Sequence, residues 1–244
     1  MNTVANLTAR ERNYVILAAL LALFLGALDA LIMSAAMPSI VADLGGLHLY
    51  AWVYSAYFLA RAVSLPIFGK LADLYNSRNL FLFSIALFLI ASIAAGSAQS
   101  MAFLTFCRVL QGIGAGGNFA LVYIVLSDIS PKDQRAKTLS LASSVWGISS
   151  VIGPTLGGFI VSYFSWRWIF FINIPIGIVC LAVIGVFLKE SRQKRTKISI
   201  DFWGLSLFSG FILCLLLIFI AGGRELAWMS VEMHALMAFT IVLA

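Results

Sequence analysis

Three charged side chains stand inside long apolar runs of this 244-residue sequence: Asp29, Arg61 and Arg108. A charge in hydrocarbon is costly and is by default a functional hypothesis. A carboxyl that can be paired or protonated there meets the physical requirement for proton coupling, because pairing favours the charged form and isolation favours the neutral one. Depth decides whether Asp29 has a partner. Asp29 lies nine residues before Pro38, about 13 Å below that end of its run at 1.5 Å per residue. Arg108 lies about 9 Å into a run that enters from the same side. With the reach of an arginine the two are expected to meet, as a coupling pair or as a static structural one. Arg61 is halfway along its run with Tyr57 one turn before it on the same face. It is expected to point to a polar cavity, where it binds an anionic group or answers Asp29.

Composition decides what surrounds these residues. The chain is 62% apolar and 11% charged, against about 45–50% and about 25% for a soluble domain. A globule so poor in charge does not cover its own surface, so a soluble enzyme, a nucleic-acid binder and a disordered chain are excluded. The mean hydropathy of +1.02 fits a polytopic membrane protein. Seven apolar runs are long enough to span, near 14–37, 51–69, 80–98, 102–126, 138–162, 168–188 and 202–222. An eighth begins near 232 and stops at Ala244, short of the roughly 20 residues a span needs. The expected class is an all-α membrane protein. Residues 1–188 form a six-helix domain, 189–200 a basic linker, and 201–244 a seventh helix and part of an eighth. The sequence is expected to be an incomplete copy of a longer protein, with its C-terminal half missing in cis.

With the N-terminus inside, cytoplasmic segments hold Arg10, Arg12, Lys70, Arg78, Lys132, Arg135, Lys137, Lys189, Arg192, Lys194, Arg195 and Lys197. The external loops hold only Arg167 and Arg224. This bias orients the chain and accounts for the net charge of +6 without nucleic acid. Short loops predict antiparallel helices lying beside their sequence neighbours. Asp201 is expected to cap the seventh helix, and Ser130-Pro131 the fifth. Asp73 ends the second run, where a carboxylate opposes the helix dipole. Lys70, Arg78 or a helix N-terminus from elsewhere is needed to compensate it. Cys107, Cys180 and Cys214 read as buried hydrophobes. Asn6-Leu7-Thr8 matches a glycosylation sequon on the cytoplasmic side and is discounted. No metal cluster, cofactor motif or nucleophile–base set is visible.

The fourth and fifth runs are rich in small residues. Gly112, Gly114, Gly116 and Gly117 accompany Gln111 and Asn118 in the fourth. Gly147 precedes Gly153-Pro154-Thr155-Leu156-Gly157-Gly158 in the fifth. Gly153 and Gly157 form a small-xxx-small face for close helix approach, and Pro154 is expected to kink the helix.

Together these residues resemble the major facilitator superfamily, and within it the fourteen-span drug:proton antiporters. Gly69-Lys70-Leu71-Ala72-Asp73 through Arg78 resembles the family's loop between spans 2 and 3. Arg108 through Gly116 resembles the span 4 motif, and Gly147 through Gly158 the span 5 antiporter motif. Leu28-Asp29 with Ala36-Met37-Pro38, Ser165-Trp166-Arg167 through Gly177, Asp201 through Gly204, and Gly222-Gly223 with Trp228 resemble segments of the fourteen-span group. The chain departs at Asn76-Ser77, where relatives carry Gly and a basic residue; Asn is expected to take the left-handed turn that Gly takes. It departs again at Arg61, where relatives often carry Gln or an apolar residue.

The resemblance implies proton-driven export of lipophilic or cationic small molecules by alternating access from a cell membrane. Asp29 would be the proton or cation site, tuned by Arg108, in a cavity with Arg61, Tyr57 and Gln111. Gly69, Asp73 and Arg78 would form a cytoplasmic gate, and Gly147, Gly153, Pro154, Gly157 and Gly158 would shape the interface between halves. The implied partners are the substrate, protons, the lipid bilayer and the C-terminal half. Two alternatives stand beside this: a carrier of a specific metabolite or organic anion with Arg61 as clamp, and a half-sized membrane subunit that binds a partner without transporting.

Overall fold

The computed structural model describes residues 8–188, 202–223 and 226–243. The basic linker, the capping role of Asp201, Arg224 and the sequon lie wholly or partly outside them. Helix α1 runs Ala9–Leu44. A 3-10 turn, Leu47–Leu49, leads into α2, Tyr50–Leu74. Then come α3 (Ser77–Gly96), α4 (Met101–Ile129) and α5 (Arg135–Tyr163). The short α6 (Trp168–Phe171) continues into α7 (Asn173–Phe187). Helices α8 (Phe202–Ala221) and α9 (Val231–Leu243) follow. Among the described residues six stretches are long and apolar enough to cross a membrane, the sixth being Trp168–Phe187. Helix α8 has 20 residues and α9 has 13. The protein is an all-α membrane protein.

Local chemistry explains the helix ends. Thr8 caps α1 in a capping box: its hydroxyl accepts from the Glu11 N–H at 3.3 Å, and the Glu11 carboxylate accepts from the Thr8 N–H at 2.8 Å. The helix does not stop at Pro38. It continues to Leu44 and ends where Gly45 and Gly46 take positive φ of 67° and 70°, a turn that residues with a Cβ resist. Asn76 does not adopt the left-handed turn expected of it. Its φ is −61°, and its side chain accepts the Asn79 N–H at 3.1 Å, so it caps α3 instead. Ser130 does not cap α5. It ends α4, a turn through Pro131 intervenes, and α5 starts at Arg135 after an uncapped Gln134.

Lateral packing departs from the expected order. Helix α4 packs on α2 and α3, and α1 packs on α5 and α7, whereas α1 and α2, and α2 and α3, scarcely touch. Short loops tie helix ends together, but glycine faces decide which walls meet. A Cβ on Gly112 would lie 2.4 Å from the Tyr57 carbonyl oxygen, and one on Gly116 would lie 2.6 Å from that of Arg61, so these two glycines seat α4 on α2. Gly114 and Gly117 turn to α3, against Ser84 and Phe88. Gly153 and Gly157 of α5 meet α1 at Leu31, Ile32 and Ala35. Two hydrophobic clusters result. One contains Leu25, Phe81, Phe88 and Cys180, the other Met33, Ala95, Cys107 and Phe170. Along α1, α3, α4 and α7 the boundary between them falls at Asp29, Ser92, Arg108–Gln111 and Asn173.

Candidate functional site

That boundary is a buried polar layer. The Arg108 guanidinium pairs with the Asp29 carboxylate, and both side chains are fully sealed from solvent. The same guanidinium nitrogen donates to Gln111 Oε1 at 3.0 Å, and Nε reaches the Val53 carbonyl at 3.4 Å. Below it lies the Tyr57 ring, whose centroid is 4.2 Å from Cζ. The Tyr57 hydroxyl donates to the Gly26 carbonyl at 2.9 Å. The other carboxylate oxygen of Asp29 accepts from the amides of Gln111 at 3.2 Å and Asn173 at 3.3 Å. Ser92 locks these amides: its oxygen accepts from Gln111 at 3.1 Å and Asn173 at 2.9 Å while its hydroxyl donates to the Phe170 carbonyl at 2.9 Å. The acid is thus surrounded by one cation and two neutral donors. Arg108 Nη2 and Asn173 Oδ1 are buried without a partner, a spare donor and a spare acceptor beside the carboxylate.

Asp29, Arg108, Gln111 and Tyr57 therefore converge. Arg61 meets this group only through the Tyr57 hydroxyl, which lies within its hydrogen-bonding reach. It is half-buried, with Cζ 4.9 Å from the Phe119 ring and 4.8 Å from the Trp146 ring. Asp29 is already engaged by Arg108. Tyr57 and Arg61 are one turn apart and share an edge at the Tyr57 hydroxyl, but the close seat at Gly112 draws the tyrosine ring under Arg108 while the Arg61 guanidinium lies against Phe119 and Trp146.

Elsewhere, Arg78 donates to the Gly185 carbonyl near the C-terminal end of α7, a favourable place for a cation. Asp73 ends α2 and has contacts of its own. A Cβ at Gly69 meets nothing within 4 Å. The motif on α5 divides in two: Gly153 and Gly157 are packed on α1, whereas Gly147 and Gly158 face open space. Pro154 is exposed within a helix that continues through it.

Two members of the layer carried no role in the sequence reading. Ser92 is a small hydroxyl in an apolar run, a common occurrence with no signal of its own. Asn173 had one: an amide at the start of an apolar run, and such groups need partners when buried.

The model of the Major Facilitator Superfamily matches residues 19–244. The chain belongs to that superfamily. A member of this superfamily is a membrane transporter, not an enzyme. The chain is 39% identical over 231 residues to Multidrug resistance protein 3 of Bacillus subtilis (strain 168), covering 94% of this chain and 45% of that protein. It is 38% identical over 232 residues to the Multidrug transporter protein MdtP of the same organism, covering 95% and 43%. The chain thus spans less than half the length of these superfamily relatives. Its fold is similar to that of the human organic anion transporter MFSD10 (TM-score 0.68, 17% identity, 92% of this chain and 59% of that one). It is also similar to that of the proton:xylose symporter XylE (TM-score 0.66, 15% identity, 96% and 54%).

Proposed function

We propose that this bundle is the N-terminal half of a proton-coupled exporter of drug-like small molecules, of the fourteen-span kind, working by alternating access in the cell membrane with its N-terminus in the cytoplasm. The names of the relatives support the export of drugs. The observation that carries the coupling is the sealed Asp29–Arg108 pair. Rocking of the halves would separate Arg108 from Asp29 and open the carboxyl to exchange of a proton. Gln111, Asn173 and Ser92 keep the carboxylate in place through the exchange. Gly147 and Gly158, which lack neighbours in this chain, are where the C-terminal half would seat, and the segment Gly69–Arg78 would gate the cytoplasmic side.

The test is Asp29→Asn in the full-length protein, reconstituted or in everted vesicles. Efflux driven by an imposed pH gradient is expected to vanish. Efflux that still tracks the gradient in that variant would sink the coupling role of Asp29.

A further inference from the structure

Arg61 is the twelfth residue of the 25-residue α2, so its charge is held at mid-membrane depth, where a cation requires a partner. The ion pairs Arg108–Asp29 and Arg167–Asp43 do not include it. Asp73 is twelve residues further along α2, about 18 Å at 1.5 Å per residue. Asp128 lies equally far beyond Gly116, which sits against Arg61. The partners Arg61 has are the Tyr57 hydroxyl, within hydrogen-bonding reach, and two ring faces, Phe119 from α4 and Trp146 from α5, two helices that otherwise meet little. Ring faces attract a guanidinium without using its in-plane N–H donors, and the donors not turned to Tyr57 form a fork that matches a carboxylate in bidentate fashion. The place is open to entry, because Arg61 is only half-buried. The rings also offer a flat apolar wall for stacking. Tyr57 lies within electrostatic reach of Arg61, Asp29 and Arg108 alike, so a charge arriving at Arg61 is felt at the polar layer.

We propose that Arg61, flanked by Phe119 and Trp146, takes the acidic group of the substrate, and that the favoured substrates are flat aromatic carboxylates rather than lipophilic cations. This rests on the reading that the bundle lines a substrate path, and it narrows the chemistry of what is carried.

The test is binding of radiolabelled 1-naphthoate, and of the cation 1-naphthylmethylammonium of similar shape, to the purified chain in lipid nanodiscs. The wild type is expected to bind naphthoate at least tenfold more tightly than the cation. Arg61→Gln should erase the preference, Arg61→Lys should keep part of it, and Trp146→Leu should weaken naphthoate several-fold. Arg167→Gln, the same charge change at a distant exposed site, should leave the preference intact. A wild type that binds naphthoate no better than the cation, or neither probe at all, overturns the proposal. So does a folded Arg61→Gln that keeps the preference. Should Arg61→Gln not fold, an undiminished preference in both Arg61→Lys and Trp146→Leu overturns it. Binding needs no transport, so the preference can stand where gradient-driven efflux fails, and the two readings fail separately.

Discussion

Arg108 on α4 and Arg61 on α2 begin from the same chemical problem, a guanidinium far from water, and both rest on aromatic rings. They differ in how closely the surrounding helices approach. Around Arg108, Gly112 lets α4 sink onto the backbone of α2 at Tyr57. Asp29, Gln111, Val53 and Tyr57 are then all within reach and solvent is shut out. Around Arg61, α4 and α5 diverge, and α5 carries Gly147 with empty space beside it. A charge that is fully satisfied is committed to the protein's own architecture. A charge held by ring faces and a single hydroxyl keeps donors available to something that arrives. Helix spacing, not residue type, assigns the two roles.

The largest effect should come from breaking the sealed pair from one side. Arg108→Ala leaves Asp29 buried without its cation, and removing one member of a buried pair costs about 3–5 kcal/mol. Thermal unfolding in detergent should show a deeply destabilised protein. The matched change Arg61→Ala, which loses cation–π contacts worth about 0.5–2 kcal/mol and one contact to the Tyr57 hydroxyl, should unfold nearer the wild type. Equal losses would remove the distinction between the two arginines.

Next in size is the seat itself. Gly112→Ala forces a methyl group to within 2.4 Å of the Tyr57 carbonyl oxygen, and overpacking of this kind costs about 1–3 kcal/mol. Crosslinking between cysteines placed on facing positions of α2 and α4 should report their separation. A smaller loss, about 0.5–1.5 kcal/mol, is expected for Asn173→Ala, which strips one donor from Asp29 and one from Ser92. Exchange of the Gln111 amide protons should then quicken. The smallest effect on stability belongs to Gly147→Ala on the open flank, within about 0.5 kcal/mol, while the same change is expected to impair transport in the full-length protein, where the second half would occupy that space.

Much of the bundle was legible in the sequence because hydropathy fixes span length and number directly. The meeting of Asp29 and Arg108 was legible as well, since depth along a helix follows from counting residues. What could not be read was lateral: which helix walls touch. That depends on where glycine faces point, and it explains why α2 packs on α4 rather than on the adjoining α3, and why the Tyr57 ring lies under Arg108. Asn76 shows the same limit at a smaller scale. Asn serves equally as a left-handed turn residue and as an N-cap, and only the path of the chain selects between them. Ser92 was silent because a hydroxyl in a membrane helix bonds its own backbone as readily as a neighbour.

The polar layer also bears on how the protein enters the membrane. Asp29 precedes Arg108 by 79 residues and Asn173 by 144, so the first helix is made long before its partners exist. On an insertion scale a central Asp costs about 2.5–3.5 kcal/mol, and each Leu, Ile, Val or Phe returns about 0.3–0.6. Between Tyr14 and Met37 there are 11 such residues, enough to carry the acid into the bilayer unaccompanied. Insertion of α1 and completion of the layer are therefore separate events in the life of the chain. The second waits for α7, the last contributor, to arrive and close the circuit.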